Sequence, residues 1–438
     1  MSKVTLDFNT RIGDMKIMHA VNNGPCVAGN VQRRGNDHTY SAARFPYARN
    51  HDAAFFAGYG GEHTVDVHAI FPNFDADVND PASYDFACTD NYIKQTYDCG
   101  TGVFYRLGSK IEHGVKKYGT KAPKSFEKWA QICEHIIAHY NKGWADGFNY
   151  GIKYWEIWNE PDLINDDGSS PCWQGTEEEF FDLYEIASKH LKSKFPEAKI
   201  GGPASVGDEE FMRRFLERMK KVKAPLDFFS YHWYWTEPKD MSAKCTRIRK
   251  MLDEIGFNTA ETILNEWNYV RGWLDEFVYS IEQIISMKGA AFNAACMLEC
   301  QNTPGIDMFM YYDARPTAFN GLFDMYTYRP LKGYYAFYHF ADLYGLKNQY
   351  KSETDDEDVY VVCAKDGDKA AIMLTYYSEN DNKGAKFIDI ETDGFDLEGA
   401  KILVTDKDQT DAVYPYSAFE NGKITIRLER NSILYIEK

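Results

Sequence analysis

Along the first two thirds of the chain, short β-prone apolar runs alternate with longer stretches whose apolar positions recur every three or four residues. Thr101 to Leu107 (TGVFYRL), Tyr154 to Asp162 (YWEIWNEPD), Ala198 to Pro203, Leu226 to Trp235 (LDFFSYHWYW), Glu261 to Trp267 (ETILNEW) and Asp307 to Tyr312 (DMFMYY) read as buried strands. Upstream, Asp14 to Gly29 holds a short strand ending in a turn-rich Asn-Asn-Gly-Pro, and Phe45 to Asp52 is a second strand. Asp66 to Phe74 reads as a further short strand or rim segment. Between the strands, helical spacing covers Tyr84 to Thr96, Ser125 to Asn141, Glu177 to Phe195, Asp208 to Lys221, Ala243 to Ile255 and Ser280 to Leu298, with a last helix from Leu331. Ser125 is placed to cap its helix and Gly143 to end it. Such regular alternation predicts an α/β fold, a (β/α)8 TIM barrel.

The texture changes near residue 350. VYVVCAK, AAIMLTYY, FIDIE, KILVTD, KITIRL and SILYIEK are short β-prone runs split by Gly, Asn and Asp turns, which predicts a C-terminal β-sandwich accessory domain. The expected division is a catalytic barrel over 14–348 and a sandwich over 349–438, with residues 1–13 adding a strand to the sandwich.

With 44% hydrophobic and 16% aromatic residues, the 438-residue chain has ample material for two cores. Lys and Arg total 49 against 66 Asp and Glu, a formal charge of −17, which disfavours nucleic acid and anionic membranes as partners. MSKVTLDFNT has no apolar core of a signal peptide, so a cytoplasmic protein is expected, or an exported one if a leader was trimmed. Self-association into a homo-oligomer is left open. The nine cysteines show no paired Cys-x-x-Cys; Cys296 and Cys300, one helical turn apart, are expected as buried thiols, and no metal site or cofactor is predicted.

Two strand ends carry the candidate chemistry. Glu160 closes one apolar strand before Pro161, and Glu266 closes another in Leu264-Asn265-Glu266-Trp267. The interval leaves room for three β/α units, so one glutamate would end the fourth barrel strand and the other the seventh, both facing the C-terminal mouth. Two carboxyl groups at one mouth suit glycosidic bond cleavage: one protonates the leaving oxygen while the other stays ionised against the anomeric carbon. Taking His51, Asp52, His232 and Glu266 instead as metal ligands fits no local ligand spacing. A silent carbohydrate-binding barrel would be favoured by loss of either glutamate, and both are present.

These segments together resemble clan A of the glycoside hydrolases, and most closely family 39, which holds β-xylosidases and α-L-iduronidases. Trp158-Asn159-Glu160-Pro161 resembles the acid/base segment and Ile263-Leu264-Asn265-Glu266 the nucleophile strand. Arg49-Asn50-His51-Asp52 is similar to the second-strand motif, while Gly201-Gly202-Pro203 and Tyr231-His232-Trp233-Tyr234 match the fifth and sixth strand ends. The resemblance implies double displacement with retention, Glu266 as nucleophile and Glu160 as acid/base. It implies that Arg49 keeps the nucleophile ionised, that Asn159 bonds the sugar 2-hydroxyl, and that His51, Asp52, His232 and Tyr234 contact the nucleophile or sugar. Trp155, Trp158, Trp173, Trp233, Trp235 and Trp267 crowd the rim segments; some would stack on sugar, Trp267 among them, and the rest form core. Asp162, Asp313 and Arg315 read either as hydroxyl-binding groups or as loop salt bridges.

The expected substrate is a β-xyloside-like or α-L-arabinoside-like linkage in an oligosaccharide or polysaccharide. An endo-acting exopolysaccharide hydrolase of the same family is the alternative. Lys and Arg are sparse in the rim segments, which weighs against a uronide. The loops Gly60 to Thr64 and Leu163 to Trp173 look particular to this chain.

Overall fold

The computed structural model describes residues 2–26, 35–52, 65–415 and 418–438. The Gly60 to Thr64 loop lies outside them. After the N-terminal strand β1 (Ser2–Asp14), eight parallel strands close into a barrel: β2 (Ile17–Asn22), β3 (Tyr47–Arg49), β4 (Gly102–Leu107), β5 (Tyr154–Ile157), β6 (Lys199–Ser205), β7 (Phe228–His232), β8 (Glu261–Trp267) and β9 (Met308–Tyr311). Each strand pairs with its sequence neighbour and β9 returns to β2. With helices between the strands, this is a TIM barrel.

Local chemistry explains the helices. Ser125 accepts from the Lys128 amide to start Phe126–Lys142, and Gly143, at φ 73°, ends it in the left-handed region that favours glycine. Thr176 and Glu179 form a reciprocal capping box on Glu177–Lys194, whose acidic first turn and basic last turn suit its dipole. Two sequence expectations are corrected. Of the two readings of Asp66 to Phe74, strand or rim segment, the strand is excluded: Val67–Ile70 is one turn of helix, because β3 and β4 already pair directly, Tyr47 with Gly102, and leave no gap. Ser280 to Leu298 is two helices, Phe277–Ile284 and Met287–Asn302; Ser286 breaks the run by capping the second through the Lys288 amide.

Inside the barrel the layers change character along the axis. Ala20, Phe104, Tyr154, Phe228, Ile263, Met308 and Met310 form an apolar plug. Above it the same strands turn in buried polar groups, Asn22, Arg49, Arg106, Glu156 and Asn265. The plug excludes water from below, so that polar layer must satisfy itself.

The remaining strands are β10 (Asn348–Thr354), β11 (Val359–Asp366), β12 (Lys369–Tyr376), β13 (Lys386–Asp393), β14 (Lys401–Thr405), β15 (Ala412–Val413), β16 (Lys423–Leu428) and β17 (Ser432–Glu437). They form one nine-stranded sheet with β1 between β10 and β13. Val4, Leu6 and Phe8 of β1 share a core with side chains of β11, β12, β13, β14, β16 and β17, so the two ends of the sheet curl over a common apolar filling. The opposite face of the central strands is also apolar: Tyr360, Val362, Met373 and Tyr435 join the core that surrounds the barrel. His339, on the last barrel helix Lys332–Gly345, stacks on Tyr435 with centroids 4.0 Å apart. Among the described residues, no helix is long and apolar enough to cross a membrane.

Candidate active site

Glu160 and Glu266 arrive at the C-terminal mouth by different local devices. Pairing of β8 shifts register against both neighbours, between Tyr231 and His232 on one side and between Leu264 and Trp267 on the other. A strand alternates its side chains, and an extra residue resets that alternation. Ile263 and Asn265 point inward by alternation; the irregularity lets Glu266 follow Asn265 inward and sends Trp267 outward. Trp267 is therefore core, stacked on Phe309 at 4.3 Å, and does not line the mouth as the sequence suggested.

Beyond β5 the chain leaves extended geometry at Trp158 (φ 77°) and Glu160 (φ 48°), two non-glycine residues in the left-handed region. Such backbone costs on the order of 1–3 kcal/mol per residue and persists only where the surroundings hold it. Here the Trp158 amide donates to the Leu107 carbonyl at 2.7 Å and the Glu160 amide to the Ala204 carbonyl at 2.9 Å. Trp158 packs outward on Trp173 with its indole N–H on the Cys172 carbonyl, while Asn159 and Glu160 face the mouth.

Arg49 is the hub of the polar layer. Fully buried, it donates from Nε to Glu156 at 2.7 Å, from Nη1 to Glu266 at 2.6 Å and to Asn22 at 3.2 Å, and from Nη2 to Asn159 at 2.6 Å. Asn265 donates to the other oxygen of Glu156 at 2.6 Å. One guanidinium thus faces two carboxylates, and its planar fork bonds four side chains at once. Burial alone would lower the Arg49 pKa, but Glu156 and Glu266 outweigh it and raise it.

The second oxygen of Glu266 accepts from the Tyr234 hydroxyl at 2.7 Å. His232 stands between the glutamates, its Nδ1 2.7 Å from Glu160 Oε1 and 3.5 Å from Glu266 Oε2. Ligand-capable atoms of Glu160, His232 and Glu266 all lie within 4.8 Å of one another. Such a trio could in principle grip a cation, but the Arg49 guanidinium already occupies Glu266 and repels a second positive charge. The metal reading based on His51 and Asp52 fits no better. His51 receives Arg106 Nε on Nδ1 at 3.2 Å, and Asp52 accepts from the Tyr312 hydroxyl at 2.5 Å beside Arg315.

Burial raises the Glu160 carboxyl to about 7, against the opposing pull of Arg49. Burial also raises Glu266, against the opposing pull of Arg49. Burial depresses His232 to about 4, so near neutrality its imidazole is uncharged and shares a proton with Glu160. The pair of carboxyl groups is therefore differentiated: among the described residues Glu160 has no arginine in contact and a neutral partner, whereas Glu266 has Arg49 and the Tyr234 hydroxyl.

Of the residues expected here, Glu160, Glu266, Arg49, Asn159, His232 and Tyr234 meet in one network, and His51 and Asp52 are buried beside it in contacts with Arg106 and Tyr312. Asp162 is a loop brace, accepting from Ser205 at 2.5 Å and from the Val206 amide at 3.1 Å. Arg315 lies 3.8 Å from Asp52 and 3.6 Å from Asp313. Glu156, Asn22, Asn265 and Cys172, whose thiol lies 3.8 Å from Glu160 Oε2, escaped the sequence reading. Glu156 did leave a signal: a glutamate flanked by Trp155 and Ile157 inside a buried strand needs a cationic partner.

Comparison with known proteins agrees with this architecture. A β-xylosidase of Geobacillus stearothermophilus is 26% identical over 295 residues, 59% of this chain and 53% of that protein. The chain spans about half the length of the curated β-xylosidases it matches, 53% and 46%. Among solved structures, a glucosidase from Croceicoccus marinus superposes with a TM-score of 0.81 at 20% identity, covering 100% of this chain and 98% of that one. A monomeric β-xylosidase from Caulobacter crescentus follows at 0.74 and 16%, covering 100% and 99%. At these identities the structural likeness speaks for the fold. The profile of the glycosyl hydrolases family 39 matches residues 3–304, well over half the sequence, and the chain belongs to that family.

Proposed function

We infer that this protein is a retaining glycoside hydrolase, acting on β-xyloside-like or α-L-arabinoside-like linkages of oligosaccharides or polysaccharides. The observation that carries the reading is the pair Glu160 and Glu266, facing each other across the mouth with one carboxylate oxygen of each within 4.8 Å. Retaining enzymes hold their carboxyl groups roughly 5–5.5 Å apart, too close for the water that inverting enzymes place between them. In this reading Glu266, kept ionised by Arg49 and oriented by Tyr234, attacks the anomeric carbon. Glu160 gives its proton to the departing oxygen and then takes one from water. Asn159, fixed through its side-chain oxygen by Arg49, keeps its amide N–H2 free to bond a sugar hydroxyl. The barrel over 14–348 carries this chemistry, and 1–13 and 349–438 form the accessory unit. β-Xylosidases among the matched proteins support the choice of sugar.

The test is a panel of aryl xylosides, arabinosides and glucosides with wild type and Glu160→Ala. The variant is expected to lose about 10²–10⁴-fold in kcat/KM on poor leaving groups and far less on activated aryl groups. Added azide should accelerate it and yield a glycosyl azide with the substrate's anomeric configuration. Full activity in Glu160→Ala on an unactivated glycoside would sink the assignment.

A pH profile provides a second check. The acid works only while protonated, so kcat/KM should fall as pH rises through about 7, the value to which burial lifts Glu160. In Glu160→Gln, assayed on an activated aryl glycoside, that alkaline limb should vanish. An unchanged limb would assign it to another group.

A further inference from the structure

Between β8 and the helix Phe277–Ile284 the chain runs as an open segment, residues 268–276. Its first residue is tied to the barrel: Asn268 Nδ2 donates to the carbonyls of Tyr312 at 2.6 Å and Phe319 at 2.8 Å. Its second is tied to the accessory sheet. Tyr269 is fully buried, and its hydroxyl reaches both oxygens of Glu379, at 2.9 and 3.0 Å. Glu379 follows β12 and also faces Lys288 at 3.4 Å, Arg271 at 3.6 Å and the Tyr377 hydroxyl at 3.2 Å. A single carboxylate of the sheet thus gathers groups from the barrel loop and the helix behind it.

What the segment presents at the mouth is Trp273. The residue is 55% exposed, and its ring meets the Tyr234 ring edge-on at 5.1 Å, with Phe277 stacked at 6.2 Å and Phe319 tilted at 6.0 Å. Tyr234 is the residue whose hydroxyl holds Glu266. A solvent-facing indole therefore stands one side chain away from the glutamate expected to meet the anomeric carbon. Its aromatic supports fix its orientation, and the ligand chemistry that suits such a surface is the apolar C–H face of a sugar ring, whose hydroxyls can still meet water at the edge.

We propose that Trp273 is a stacking platform for a glycosyl unit of the substrate, and that Glu379 of the accessory sheet is the positioning residue that holds the platform in place. The inference rests on the glycosidase reading above. It gives the sheet a part in substrate recognition without a catalytic group of its own.

The experiment uses the full chain and an oligosaccharide of the sugar that wild type prefers in the aryl panel. Trp273→Ala is expected to raise KM by about tenfold, with kcat within about threefold. Glu379→Ala should shift KM in the same direction, and the double variant should be no worse than Trp273→Ala alone, because both act through one ring. Glu379→Gln keeps an acceptor for Tyr269 and should return KM to within about twofold of wild type. Should Glu379→Ala fail to fold, Tyr269→Phe removes the same hydrogen bond with no change of charge and is expected to raise KM likewise. An unchanged KM in Trp273→Ala, or KM effects of the two positions that simply multiply, overturns the proposal while leaving the glycosidase reading intact. Absence of any turnover by wild type overturns both.

Discussion

Glu266→Ala is expected to lose on the order of 10⁴–10⁶-fold in kcat/KM on every substrate that wild type cleaves, activated aryl glycosides included. The size follows from the proposed role of nucleophile: in that mechanism no glycosyl-enzyme bond forms without Glu266, and a good leaving group cannot compensate. Azide should restore turnover through the space vacated by the carboxylate. Because the product then forms in one displacement, it should carry the opposite anomeric configuration to the substrate, and nuclear magnetic resonance of the glycosyl azide reads that directly. The contrast with Glu160→Ala, where the azide product keeps the configuration, separates the two roles. Azide rescue with identical stereochemistry in both variants is incompatible with the assignment. Stability should fall less than in an Arg49 variant, since Arg49 keeps Glu156 as a counterion when Glu266 is removed.

Arg49→Ala is expected to damage both activity and stability. The guanidinium is fully buried and contacts Glu156, Glu266, Asn22 and Asn159. Removing it leaves two carboxylates in a cavity closed from below by the apolar plug, and breaking a buried pair in this way costs about 3–5 kcal/mol. The midpoint of urea unfolding should fall accordingly. The Glu266 carboxyl, deprived of its cation, should titrate higher, so the acidic limb of the pH profile should move upward in pH. Arg49→Lys is expected to recover little, because one ammonium cannot span Glu156, Glu266 and Asn159. Adding Glu156→Leu to Arg49→Met should restore part of the stability and none of the activity, since the pair is then replaced by apolar groups while the nucleophile stays unsupported. A wild-type urea midpoint in Arg49→Ala would sink this prediction.

The depth at which each feature was legible differs between the two glutamates and their supports. Glu160 and Glu266 were readable because each closes an apolar strand, and a β/α rhythm places strand ends at one mouth. Glu156 was passed over because strand alternation shows that it points inward but not which cation awaits it, and Arg49 lies 107 residues away. Trp273 left no periodic signal, for it sits in an open segment whose position is set by a carboxylate 110 residues after Tyr269.

Residue order alone determined the eight-fold rhythm, the apolar strands with acidic ends and the β-rich tail, because period and capping are properties of neighbours in the chain. Only the tertiary structure decided that Glu266 turns inward while Trp267 turns out. That outcome depends on register shifts against β7 and β9, and register is a relation between strands rather than within one. It likewise decided that burial lifts Glu160 to about 7 while Arg49 holds Glu266 in an ionic contact. The two side chains are the same residue type, and their difference in proton affinity comes from what the fold puts beside each.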